Sequence, residues 1–127
     1  PMTAGASFGG YHAANLVLKH PQRFSKLISL SGAFDVRSFL GGFYNDDVYF
    51  NNPSDFVPHL PEGDQLHALR HTPLVLTVGE HDPCRGSNEH LHRVLNDKHV
   101  SHTFDFLTGA FGHDWPWWRS LIQKYIV

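Results

Sequence analysis

Gly5-Ala6-Ser7-Phe8-Gly9-Gly10, running straight into Tyr11-His12-Ala13-Ala14-Asn15-Leu16-Val17-Leu18-Lys19-His20, is the stretch on which the reading of this chain turns. Its first five residues have the form G-x-S-x-G, the pattern of a serine held on a sharp turn between the end of a strand and the start of a helix. The turn matters because a serine hydroxyl is a poor nucleophile at its ordinary pKa. It becomes reactive when held clear of the backbone beside a base. Gly5 and Gly9 flank Ser7 where side chains are expected to collide as strand gives way to helix, and Gly10 is expected to let that helix lie close to the sheet. Behind the turn, Tyr11, Ala14, Val17 and Leu18 share one helical stripe, and the helix should stop ahead of Pro21, which disfavours helical backbone in His20. A helix that opens just after Ser7 aims backbone amides at any oxyanion formed there, with the Phe8 N–H as the first candidate donor.

The pattern continues downstream. Lys26-Leu27-Ile28-Ser29-Leu30 reads as a short apolar strand, and a helix followed by such a strand is half of a parallel crossover unit. Residues 33–70 interrupt the alternation with Phe34, Phe39, Phe43, Tyr44, Tyr49, Phe50 and Phe56 set among glycines, asparagines and prolines. Periodicity is weak there until a short helix at Gln65–Arg70, with Asp64 as its expected cap. This insertion reads either as a lid or pocket wall over the serine, or as aromatic packing that anchors a long loop. Asp46-Asp47 reads as a solvated turn. Pro73-Leu74-Val75-Leu76-Thr77-Val78 is the clearest strand, apolar throughout as befits one covered on both faces. It ends in Gly79-Glu80-His81-Asp82-Pro83-Cys84, and Ser87 or Asn88 is expected to cap a helix carrying Leu91, Val94 and Leu95. His102–Leu107 alternates like a last strand, and Thr108–Gly112 reads as a loop delivering His113. Asp114 should cap a final helix whose Trp118, Leu121, Ile122 and Tyr125 form a packing stripe.

With 127 residues, the chain is about half the length expected of a complete α/β domain built around such a turn. It is therefore read as one partial domain, 1–127, the C-terminal half of a larger α/β fold. Ten Lys and Arg against twelve Asp and Glu give a formal charge of −2 with no run of either sign, which argues against nucleic acid or an anionic membrane as a partner. Cys84, the single cysteine, excludes an internal disulfide and leans towards a cytoplasmic setting. Eleven histidines suggest metal binding, with His90/His92 and His99/His102 as the closest pairs. The pairs fall on different predicted elements without carboxylate or thiolate support, so no metal is assigned.

A serine on such a turn needs an imidazole to take its proton, and the imidazole needs a carboxylate to fix its tautomer. Asp82 and His113 lie on loops beyond the two later strands. In a parallel sheet these emerge at the same edge as Ser7, in the chain order Ser, Asp, His. Asp82 is preferred over Glu80 and Glu89, although an Asp before a proline can equally start a turn. Nothing in the sequence marks Cys84 as electropositive or base-paired, so it is not read as a nucleophile.

These residues carry a resemblance. The Ser7 turn, the Gly79-Glu80-His81-Asp82-Pro83-Cys84 loop and above all Gly112-His113-Asp114-Trp115-Pro116-Trp117-Trp118 resemble the esterase branch of the α/β-hydrolase fold that includes esterase D-like, feruloyl-esterase-like and enterochelin-esterase-like enzymes. The resemblance implies a mostly parallel sheet with flanking helices, a small-molecule ester as substrate and no cofactor. It implies Ser7 as nucleophile, Asp82 as orienting acid and His113 as general base, acting through an acyl-enzyme. In that family the first strands and the second oxyanion donor lie upstream of the serine turn. This chain alone is thus expected to be a weak catalyst that self-associates or is complemented by the missing half. An acyltransferase on the same residues, or a non-catalytic interaction module, are the alternatives.

Overall fold

The computed structural model describes residues 1–109 and 112–127, and the side chains of all these except 38 and 39. Four strands form one sheet in the order β1-β2-β3-β4: β1 Met2–Ala6, β2 Lys26–Leu30, β3 Leu74–Gly79 and β4 Thr103–Leu107. Every pairing is parallel. Such an arrangement needs a crossover between successive strands, and helices supply it. The first crossover is α1 (Phe8–Lys19) and the third is α5 (Arg85–Asp97), while α6 (Trp115–Tyr125) closes the chain. The second crossover is the long insertion.

All six residues of β3 are buried, because β3 is central and covered on both faces. The faces are distinct along β2. Leu27 joins Ala14, Val17 and Leu18 of α1 and Leu91 and Leu95 of α5 in one core cluster; Ile28 and Leu30 join Trp118 and Leu121 of α6 in another. This is the two-residue alternation of a strand buried on both sides. The stripes expected on α1 and α6 are the faces these helices bury.

The insertion is more helical than its sequence suggests. It contains a short 3-10 turn (Val36–Phe39), α2 (Asp46–Phe50), α3 (Pro53–Phe56), a second 3-10 turn (Val57–His59) and α4 (Asp64–Leu69). Asp46 and Asp47 form the exposed first turn of α2, capped by the Asn45 side chain, which accepts from the Val48 N–H. Elements this short have too few residues to show a helical period. Asn51 docks the segment on α1: its carbonyl accepts from the Tyr11 hydroxyl, and its Oδ1 accepts from Asn15 (3.1 Å) and Lys19 (2.9 Å). The cap of α4 is Gly63, with Asp64 the first helical residue. No described helix is long and apolar enough to cross a membrane.

Candidate active site

Ser7 stands between β1 and α1 with φ 56° and ψ −120°, a conformation that costs a non-glycine residue about 1–3 kcal/mol. Three backbone hydrogen bonds hold it there. The Ser7 N–H donates to the Leu30 carbonyl (2.9 Å), and the Ser7 carbonyl accepts from Tyr11 (3.2 Å) and Ala33 (3.1 Å). Gly5 is required, since a Cβ there would lie 2.2 Å from the Gly9 carbonyl oxygen. Gly10 is required for the reason expected: its Cβ would lie 2.9 Å from both the Gly32 Cα and the Ser29 Oγ beneath the helix. Gly9 differs from expectation, because a Cβ there meets nothing within 4 Å. Its contribution to the tight turn is its backbone, against which Gly5 packs. Phe8 opens α1, and its ring stacks at a tilt on Tyr11 and edge-on to His12.

Register places the other groups. Ala6 pairs with Leu30, Leu30 with Thr77, and Gly79 with Leu107, so all four strands finish at one edge. Beyond β3 the chain turns at once: the Asp82 N–H donates to the Gly79 carbonyl (3.2 Å) and the Arg85 N–H to the Asp82 carbonyl (3.0 Å). Asp82 Oδ1 accepts from the Cys84 N–H (2.8 Å), an Asx-type turn that fixes the carboxylate. Cys84 is then the cap of α5, which begins ahead of the expected position. Ser87 and Asn88 do not cap it. Their side chains bond the Cys84 and Gly32 carbonyls instead, with Asn88 fully buried on the face that carries Leu91 and Leu95.

The structure brings Ser7, Asp82 and His113 together. His113 Nε2 lies 2.8 Å from Ser7 Oγ, and its Nδ1 lies 3.0 and 3.1 Å from Asp82 Oδ1 and Oδ2. A carboxylate only accepts, so Nδ1 carries the ring proton and Nε2 offers its lone pair to the Ser7 hydroxyl. The Asp82 side chain is fully buried and the His113 side chain 27% exposed. The Trp118 ring meets His113 edge-on at 4.9 Å, and its indole N–H donates to Ser31 Oγ (3.0 Å). Ser31 is itself at φ 54°. This Ser31–Trp118 buttress is absent from the sequence reading, where Trp118 signals only its place on a packing stripe. Asp114 caps α6 as expected, accepting from the Trp115 N–H. The loop expected at Thr108–Gly112 includes Ala110 and Phe111, which lie outside the described residues.

Glu89 pairs with Arg85 (3.1 Å). Burial, then the charge and hydrogen bond of Asp82, push the Cys84 thiol up to about 11, so it is a neutral thiol at physiological pH and no nucleophile. His92 Nδ1 and His102 Nε2 meet at 2.7 Å, yet among the described residues no third ligand joins the histidine pairs. A cavity of about 530 Å³ lies beside Phe8, Tyr11 and His12, walled on its far side by Val36, Leu40 and Phe43 of the insertion. The aromatic segment thus both packs onto α1 and walls a hollow next to the serine turn.

Residues 2–126 match the family model Esterase. Among solved structures, a ferulic acid esterase is 23% identical with a TM-score of 0.81, the match covering 98% of this chain and 48% of that one. An S-formylglutathione hydrolase from Staphylococcus aureus is 22% identical with a TM-score of 0.69, covering 97% and 48%. Ferric enterobactin esterase from Salmonella typhimurium is 27% identical with a TM-score of 0.63, covering 97% and 28%. The chain spans about half the length of the first two of these proteins. No curated protein matches it in sequence.

Proposed function

The chain belongs to the Esterase family, and from that premise we propose that it carries the machinery of a serine carboxylic-ester hydrolase that works through an acyl-enzyme. Ser7 Oγ attacks the ester carbonyl as its proton passes to His113 Nε2 across the 2.8 Å hydrogen bond. The imidazolium so formed is stabilised by buried Asp82, which holds Nδ1–H and thereby the tautomer that leaves Nε2 basic. The carbonyl oxygen, now an oxyanion, is assigned to the Phe8 N–H at the opening of α1. Collapse of the tetrahedral intermediate sends the His113 proton to the leaving alcohol. Water then gives a proton to His113, attacks the acyl group and frees the acid and Ser7.

One observation carries this reading: a single imidazole bridges a serine on a strained turn and a fully buried carboxylate. Chain order, Ser7 then Asp82 then His113, supports it. A fluorophosphonate tests it directly. Stoichiometric labelling of Ser7, abolished in Ser7→Ala and strongly slowed in His113→Gln, is the expected result. Protein that is folded by circular dichroism yet unlabelled at Ser7 overturns the assignment.

A further inference from the structure

We propose that Asp82, Cys84 and His113 form a binding site for a borderline-to-soft divalent cation of the Zn²⁺ or Cd²⁺ class, and that its occupancy disables the serine. The binding claim stands on geometry alone; the inhibitory claim rests on the roles proposed above for Ser7 and His113.

These three residues each offer a ligand atom, and the atoms all lie within 4.8 Å of one another; among the described residues no other three such side chains gather. The donors are a carboxylate, a thiol and an imidazole, the mixed O/S/N set that Zn²⁺ takes at about 2.0–2.3 Å. Ligand atoms around such an ion stand roughly 3–4 Å apart, so the group needs to close by only about 1 Å. Two of the three are already rigid. Asp82 and Cys84 sit two residues apart in a turn held by the bonds to Gly79, Cys84 and Arg85, and the Asp82 side chain is sealed from solvent. Access comes from the Cys84 side, where a cavity of about 400 Å³ is lined by Cys84, Ser87 and Ala33, with Asp35 and His90 in its wall. Three protein ligands would leave a further position for water, and Cys84 is the one of the three that also lines this cavity.

Inhibition follows from proton bookkeeping on one ring. With Nδ1 facing Asp82, the ring proton is on Nδ1 and Nε2 can accept from Ser7. A cation on Nδ1 takes that lone pair, and the neutral ring must then carry its single proton on Nε2. Nε2–H donates to Ser7 Oγ, which no longer has a base. The cation also displaces the Cys84 thiol proton, so binding releases one proton to solvent and no electrons move.

Titration of the folded protein with Cd²⁺, followed by ultraviolet absorbance, tests the ligand set without recourse to activity. A thiolate-to-metal charge-transfer band is expected to saturate at a single site. Cys84→Ser should abolish the band, and both Cys84→Ser and His113→Gln should weaken Zn²⁺ binding in calorimetry about tenfold or more. Absence of the band, or Zn²⁺ affinity unchanged in both variants, overturns the site, since the remaining histidines would then account for any binding. Fluorophosphonate labelling of Ser7 should be slowed about tenfold or more by saturating Zn²⁺. Labelling at an unchanged rate with the band present overturns the inhibitory claim. If Ser7 fails to label without metal, the reading of Ser7 fails, and the cation site is judged on the band and the calorimetry.

Discussion

Replacing Asp82 by Asn changes a proton rather than a shape, and the surrounding hydrogen bonds dictate where that proton goes. Oδ1 accepts from the Cys84 N–H at 2.8 Å and stands 3.0 Å from His113 Nδ1, while Oδ2 stands 3.1 Å from the same nitrogen. An amide has one acceptor oxygen. If that oxygen stays on the Cys84 N–H, the NH₂ group takes the Oδ2 position and donates to Nδ1. Although the amide oxygen, 3.0 Å from Nδ1, has a second lone pair, an Nδ1–H would also face an N–H of the NH₂ group 3.1 Å away, so the ring proton moves to Nε2, which points at Ser7 Oγ 2.8 Å away. Turning the amide over sets its NH₂ against the Cys84 N–H and loses the turn instead, so the first arrangement wins. The serine then faces a donor and has no base. The same substitution in the serine-protease triad costs roughly 10⁴ in rate, equivalent to about 5.5 kcal/mol of transition-state stabilisation. The assay is the rate of fluorophosphonate labelling at Ser7, with hydrolysis of p-nitrophenyl acetate alongside, on protein whose urea midpoint shows it to be folded. An Asp82→Asn rate within about tenfold of the parent would refute the reasoning, because it would mean that His113 does not depend on Asp82 for its tautomer.

Three further outcomes are expected. Gly5→Ala should destabilise the fold by about 3 kcal/mol or more, given a Cβ 2.2 Å from a backbone oxygen; Gly9→Ala, in helix α1 with open space around it, should stabilise by about 0.5–1 kcal/mol; equal urea midpoints for the two variants would contradict this. Acid should loosen the packing of α5 on β4: Asn96 donates to His92 Nε2 (3.4 Å), His92 Nδ1–H donates to His102 Nε2 (2.7 Å), and His102 Nδ1–H donates to the Val100 carbonyl (2.8 Å). Burial, then the charges of His102 and Arg93, hold His92 below its ordinary value against the opposing pull of Glu89. A depressed folded-state value favours the neutral ring, so this contribution is complete above about pH 6.5 and is lost as pH falls through the lower, folded-state value. The urea midpoint of the parent should therefore drop more between about pH 7.5 and pH 5 than that of His92→Gln, and parallel curves would refute it. Finally, among the described residues β1 pairs only with β2, and an unpaired strand edge recruits other chains; sedimentation that shows a monomer at all concentrations would contradict the expected self-association.

The sheet was legible because its signals are local. β3 is apolar throughout since both faces are covered, and α1 and α6 carry stripes whose period matches the faces they bury. Where expectation and structure differ, a tight turn or a contact distant in sequence decides. Ser87 and Asn88 have the chemistry of caps, but the Asp82 turn already starts α5 at Arg85, and the buried Gly32 carbonyl claims their side chains. Helices of four to six residues in the insertion are held by Asn51 against α1 and by Gln65 on the Leu18 carbonyl, neither of which leaves a period to read.

The candidate site was legible as three residues at one edge, but not as a set of contacts. A parallel sheet sends every carboxyl end the same way, so Ser7, the loop after β3 and His113 could be placed on one rim from order alone. Which groups touch within that rim depends on turns. At Asp82 two readings that looked like rivals, a turn-starting aspartate and a carboxylate facing an imidazole, are both satisfied, because one oxygen can accept from the Cys84 N–H while the pair still faces His113. The turn is what makes the carboxylate rigid, and a rigid buried carboxylate is what fixes a tautomer. By the same logic Trp118 is more than a packing residue: its ring meets His113 edge-on while its N–H is tied to Ser31, so the imidazole has an apolar support beside its polar partners. No spacing rule connects residues 31, 113 and 118. Their meeting follows from α6 folding back over β2, a consequence of the core stripe and not of any motif.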